Sequence, residues 1–152
     1  MSSPKWKIKN LSGNESFRKA AQIILKERVK KVSVNIKLYL KEENPIRLHN
    51  VRIAIRRLRY NIELFYPFFD NKKFIKFYDS LVDLQDTTGD VRDIYITIEN
   101  ISLIKDLELN EIQNDLISKM EEKQTVLLDK LRSLLHSFLV SNEMKSFIKL
   151  IR

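Results

Sequence analysis

His49, Arg52, Arg56, Arg57 and Arg59 fall within the stretch LHNVRIAIRRLRYNIELF, Leu48 to Phe65. A guanidinium group is planar, always charged and carries donors in a fork, which suits bidentate capture of carboxylate or phosphate oxygens. Laid on a helix at about 100° per residue, His49, Arg52, Arg56 and Arg59 form one stripe, and Arg57 lies further round the polar side. Leu48, Val51, Ala54, Ile55, Leu58, Ile62 and Phe65 form an apolar stripe beside it. A helix of this kind buries one face and lines the next with cations, so the chemistry it offers is anion binding. His49 has two readings, a ligand contact or a structural hydrogen bond within the fold. In the first, a bound polyanion favours the charged imidazole, and binding is expected to tighten at mildly acidic pH.

A second cationic set precedes it. Lys19, Lys26, Lys30, Lys37 and Lys41 step by 7, 4, 7 and 4 and hold to one narrow arc of a helix expected over Glu15–Glu42. Ammonium groups attract phosphate as point charges, yet a solvated lysine face is also the ordinary fate of such residues. Phe17, Ala21, Ile24, Leu25, Val29, Val32, Ile36 and Tyr39 make the apolar face of that helix, and Arg28 falls close to it. Asn44-Pro45 ends the helix, and so short a connection returns the next helix antiparallel. The lysine stripe and the arginine stripe are then expected to form opposite walls of one groove.

Other chemistries find little support. The two histidines are far apart and there is no cysteine, so no metal-ligand spacing appears and no cofactor is expected. Asp83, Asp86, Asp90 and Asp93 read as separate caps around a helix break rather than as a magnesium cluster. Arg92 and Asp93 read as an ion pair at a helix start or between helices. No glycine-rich phosphate loop is present. The expectation is a binding module, not an enzyme.

The elements that must position these residues are helical. Among 152 residues there are only two glycines and three prolines, and 43% are hydrophobic. Long periodic runs with few breakers predict an all-α fold, an antiparallel bundle of long helices in one domain. Residues 1–14, including Trp6, read as an N-terminal arm, and residues 15–152 as the helical domain. Further helices are expected over Asn71–Asp86, from Gly89 to Ile101 after a break at Thr87-Thr88-Gly89, from Asn110 to Phe138 as the longest, and from Glu143 on. Asn110 with Gln113 resembles a capping box. The expected buried positions are Phe74, Ile75, Tyr78, Leu81, Val82 and Leu84, then Ile94, Ile98 and Ile101. In the longest helix they are Ile112, Leu116, Met120, Leu127, Leu131, Leu134 and Phe138.

Charge is unevenly placed. Residues 1–60 hold 16 Lys/Arg and 4 Asp/Glu, whereas residues 61–152 hold 12 and 16, within a net charge of +8. A basic half that repels itself is relieved by a polyanion. No membrane span is expected, and MSSPKWKIKN lacks the apolar stretch of a secretory signal.

The motif His49-x-x-Arg52-Ile53-Ala54-x-Arg56-Arg57-Leu58-Arg59, followed by Leu64-Phe65, resembles the signature of the CHAD family, the conserved histidine α-helical domains. Leu84-Gln85 through Gly89-Asp90-Val91-Arg92-Asp93 is similar to that family's Leu-Gly-x-x-Arg-Asp landmark, with Thr88 in the place of leucine. Ser141-x-x-Met144-x-x-Phe147-Ile148 fits its close. The resemblance implies a helical bundle whose basic channel binds inorganic polyphosphate, in a family whose members often reach polyphosphate granules; the absence of cysteine suits a reducing cytoplasm. It implies His49, Arg52, Arg56, Arg57 and Arg59 as the motif's ligand residues. The family commonly has two such bundles, and this chain has room for one, so a homodimer is one way to supply the second. Nucleic acid is the second choice of polyanion. The arginine face has few stacking aromatics and lacks the usual base-reading amides. A scaffold for an acidic protein is the third.

Overall fold

The computed structural model describes residues 8, 10–69, 72–105 and 111–152, without the side chains of Lys105 and Ile112. Trp6, the start expected at Asn71, the buried role expected of Ile112 and the Asn110 capping box lie outside the described residues. Five helices follow in order: α1 (Phe17–Lys41), α2 (Pro45–Phe65), α3 (Lys72–Lys105), α4 (Glu111–Val140) and α5 (Asn142–Leu150), with a short 3-10 turn at Tyr66–Phe68. There is no strand among the described residues, and the fold is all-α. α2 packs between α1 and α3, α4 lies against α3, and α5 closes on α3.

Local chemistry sets the boundaries. Ser16 Oγ accepts the Lys19 amide at 3.4 Å and caps α1. Asn44 Oδ1 accepts the Arg47 amide at 2.9 Å, and Pro45 takes a first-turn position where its missing N–H costs nothing. Arg47 reaches back to the Leu38 carbonyl at 3.2 Å and to the Glu42 carboxylate at 2.6 Å, which locks the α1–α2 connection. Ser141 Oγ accepts the Met144 amide at 3.1 Å and opens α5.

The expected break at Thr87-Thr88-Gly89 does not occur. α3 is continuous over 34 residues and, not α4, is the longest helix. Leu84, Thr87, Thr88 and Val91 share one helix face and are all buried, so packing overrides the weak propensity of this stretch. The threonine hydroxyls donate back to the helix, Thr87 to the Asp83 carbonyl at 3.0 Å and Thr88 to the Gln85 carbonyl at 2.9 Å. Asp83, Asp86, Asp90 and Asp93 therefore sit inside a helix and cap nothing. Arg92 and Asp93 do not stand at a helix start, and they form no ion pair among the described residues.

The core is built on aromatic rings. Phe77 stacks on Phe147 with centroids 4.0 Å apart, and Phe74 and Phe138 pack round them at 5.0 and 5.6 Å. All seven apolar-stripe residues of α2 are buried. Each of these side chains other than Ala54 contributes roughly 1.5–3 kcal/mol. Phe77 takes the buried position expected of Ile75, which is exposed. Phe17 and Leu116 are also exposed, whereas Leu131, Leu135 and Phe138 bury the C-terminal half of α4. The bidentate pair of Arg132 with Glu43, at 2.7 and 2.9 Å, ties α4 to the α1–α2 connection.

Candidate anion-binding site

Two concavities flank the exposed side of α2, each of about 220 Å³. One lies between α2 and α3 and is lined by His49, Arg52, Ile53, Arg56, Gln85 and Arg92. The other lies between α1 and α2 and is lined by Arg28, Lys31, Asn35, Asn50, Ile53, Ala54 and Arg57. Ile53 belongs to both, so the two are neighbours across one helix face. The register comes from α2 itself. Its apolar stripe is pinned between α1 and α3, which leaves His49, Arg56 and Arg57 exposed, with Ile53 half-buried between the two concavities and Arg52 half-buried at the α3 edge.

The electrostatics of these concavities are unsatisfied. The Nε donors of Arg28 and Arg52 are buried and have no hydrogen-bond partner, and neither has the Oε1 of Gln85. A buried donor without an acceptor costs about 1–3 kcal/mol. Burial, then the charges of Arg92 and Arg56, pull Arg52 below the usual guanidinium range, with Asp93 a partial counterweight. Burial and then Arg57 do the same to Arg28, against Glu27. Each of these two arginines thus has its main charged neighbours of like sign. An anion supplies the missing acceptors and relieves the repulsion at once. The Gln85 carboxamide, reversed end for end, presents its NH2 to the same ligand.

The residues expected to bind do not all meet. His49, Arg52 and Arg56 converge in one concavity, and Arg57 lines the other. Arg59, on the same stripe, is engaged elsewhere. Its Nε donates to Glu63 Oε1 at 2.9 Å and to the Tyr78 hydroxyl at 3.2 Å, while Tyr78 donates to Glu63 at 2.6 Å. Lys19, Lys26, Lys30, Lys37 and Lys41 are exposed but do not form the opposite wall. The α1 residues facing the groove are Arg28, Lys31 and Asn35, roughly 140° round the helix from the lysine stripe at about 100° per residue. The rotation follows from burying Ala21, Leu25, Val29, Val32, Ile36 and Tyr39. Sequence reasoning therefore misses Arg28, Lys31, Asn35, Asn50, Gln85 and Arg92 as site residues. For Arg28 the signal is present: a permanent cation beside an apolar arc.

No group of His, Asp and Glu among the described residues is arranged to hold a metal ion. No described helix is long and apolar enough to cross a membrane. No curated protein and no solved structure matches the chain. The family model described as the CHAD domain matches residues 3–102, which takes in α1, α2 and nearly all of α3 and so both concavities. The chain belongs to the CHAD domain family.

Proposed function

We propose that the chain binds inorganic polyphosphate on the exposed side of α2. Arg28, Lys31 and Arg57 grip it on one flank, and His49, Arg52, Arg56 and Arg92 on the other. The observation that carries this reading is the pair of buried, unpartnered Nε donors of Arg28 and Arg52, the first beside Arg57 and the second beside Arg92 and Arg56. Family membership supports it, since CHAD domains in general bind polyphosphate-related ligands. The chemistry fits as well. Polyphosphate presents oxygens along its whole length and no base or sugar, so a receptor needs many donors and no stacking platform. Guanidinium forks meet that need, and a charge-assisted hydrogen bond contributes about 1.5–3 kcal/mol.

The converging side chains are donors suited to holding a polyanion, which makes a binding module the favoured reading over a triphosphate-cleaving enzyme. A cytoplasmic place, at polyphosphate granules where they form, follows from the same reading. Calorimetric titration with polyphosphate of defined length, at two salt concentrations, tests it. Binding is expected to weaken steeply with salt, as counterion release requires of any polyanion complex. RNA or DNA that displaces long-chain polyphosphate at equal charge concentration would transfer the assignment to nucleic acid.

A further inference from the structure

Among the described residues, nothing buries the far end of the α3–α4 hairpin. Between Ile94 in α3 and Leu131 in α4, none of the described residues is buried. At 34 residues α3 is roughly 51 Å long, against roughly 31 Å for the 21 residues of α2. Arg59 faces Tyr78, and Arg52 shares a concavity with Gln85, so α3 runs on past the first turn of α2. Leu103, Leu116 and Val126 are exposed there, at 62%, 46% and 68%. Residues 95–130 carry 8 Asp/Glu and 4 Lys/Arg. A two-helix hairpin with so little burial gains little from packing.

Its outer face has a pattern. Glu111, Asp115, Glu122 and Asp129 step by 4, 7 and 7 and fall within about 40° on α4, with exposed Val126 beside them. Asp115 pairs with Lys119 at 3.2 Å and Asp129 with Arg132 at 2.7 Å on the same helix, both in exposed, exchangeable contacts, and Glu111 and Glu122 have no ion pair among the described residues. The lysine stripe of α1 steps by the same intervals, within about 60°, and has exposed Val34 beside it. The acidic stripe spans roughly 27 Å and the lysine stripe roughly 33 Å at helical rise. Neither faces the α2 concavities.

We propose that these two stripes are the two halves of one interface, and that its occupant is a second copy of this chain. The acidic face of α4 in one protomer lies along the lysine face of α1 in its partner. A two-fold axis makes the contact twice, because each protomer carries both stripes. Val34 and Val126 supply apolar contact along one edge of the stripes, and the charges fix which faces meet. Pairing hairpin with hairpin instead would set two net-acidic segments against each other. The contact leaves the α2 concavities open and needs no bound phosphate.

The test is the solution mass of the full chain, by sedimentation equilibrium without phosphate. A dimer is expected, with a dissociation constant at least about tenfold weaker when salt rises from about 0.05 to about 0.5 M. Lys30→Glu/Lys37→Glu and Asp115→Lys/Glu122→Lys are each expected to be monomeric with unchanged helical circular dichroism. Mixed one to one, they are expected to dimerise, since each then meets its opposite charge. Where a swap lowers helical content, Lys30→Gln/Lys37→Gln and Asp115→Asn/Glu122→Gln carry the same test, with association at least about threefold weaker. A monomer throughout overturns the proposal. So does a dimer indifferent to the lysine changes, a mixture that fails to associate, or a monomer whose acidic stripe instead captures a basic protein.

Discussion

The two ends of α2 use the same residue differently. Arg52 and Arg59 lie on one stripe, seven residues apart, and both face α3. Opposite Arg59, α3 places Tyr78, and α2 itself supplies Glu63, so three groups satisfy one another within 3.2 Å. Opposite Arg52, α3 places Gln85 and Arg92, and the Arg52 Nε stays without an acceptor. An arginine stripe is thus neither functional nor structural as a whole. What the neighbouring helix sets across from each guanidinium decides. The sharpest way to break this contrast is to remove cations that line the concavities. Arg52→Ala/Arg57→Ala, one from each concavity, is expected to weaken polyphosphate binding by at least about 100-fold, from about 1.5–3 kcal/mol per charge-assisted hydrogen bond. The slope of log affinity against log salt should become shallower by about 1 for each phosphate that is no longer neutralised. Thermal stability is expected to hold or rise, because each deletion removes repulsion among arginines. A matching loss of stability would show that the two residues hold the bundle together instead.

Arg59→Ala is the mirror experiment. It should leave polyphosphate affinity within about threefold while lowering stability by about 1 kcal/mol, the usual contribution of a hydrogen-bonded group in a partly exposed network. Chemical denaturation and the same calorimetric titration measure both. A large loss of affinity with stability intact would place Arg59 in the ligand site and erase the distinction between the two ends.

The apolar period of α2 is legible in the sequence because a 3.6-residue repeat maps directly onto burial, and all seven residues of the stripe are buried. The continuity of α3 is not. Thr87, Thr88 and Gly89 disfavour helix locally, and only the packing of Leu84, Thr87, Thr88 and Val91 reverses that. The site is half legible. The motif on α2 names His49, Arg52, Arg56 and Arg57, but the sequence carries no direct record of what α1 and α3 put opposite them. The lysine stripe misleads because its regular spacing is stronger than the signal of a single Arg28, yet Arg28 is the α1 cation with a buried, unpartnered donor in the groove. Tyr78 reads as a core residue in the sequence, whereas its hydroxyl is the link that takes Arg59 out of the anion site.

The satisfied end of α2 also predicts a pH dependence. The Tyr78 hydroxyl first, and then Arg59, hold the Glu63 carboxyl below its ordinary value of 4.5. An acid depressed in the folded state contributes stability that is present above its unfolded pKa and lost as pH falls through the folded one. Native protein should therefore exceed Glu63→Gln in stability at neutral pH, and the gap should close as pH drops below about 4.5. A gap that stays constant with pH would mean that packing, not charge, holds the network.

The smallest effect belongs to the lysine stripe. Lys19→Ala/Lys26→Ala is expected to change affinity for a short polyphosphate by less than about twofold, since exposed single charges contribute about 0–1 kcal/mol even when paired. Both residues lie on the α1 face turned away from the concavity that Arg28 and Lys31 line. A short chain held beside α2 does not reach round α1. Lys31→Ala, on the groove side of the same helix, is expected to cost more than the double change. If instead the double change is the more damaging, the two cationic faces of α1 have exchanged roles, and the concavity between α1 and α2 is not where phosphate sits.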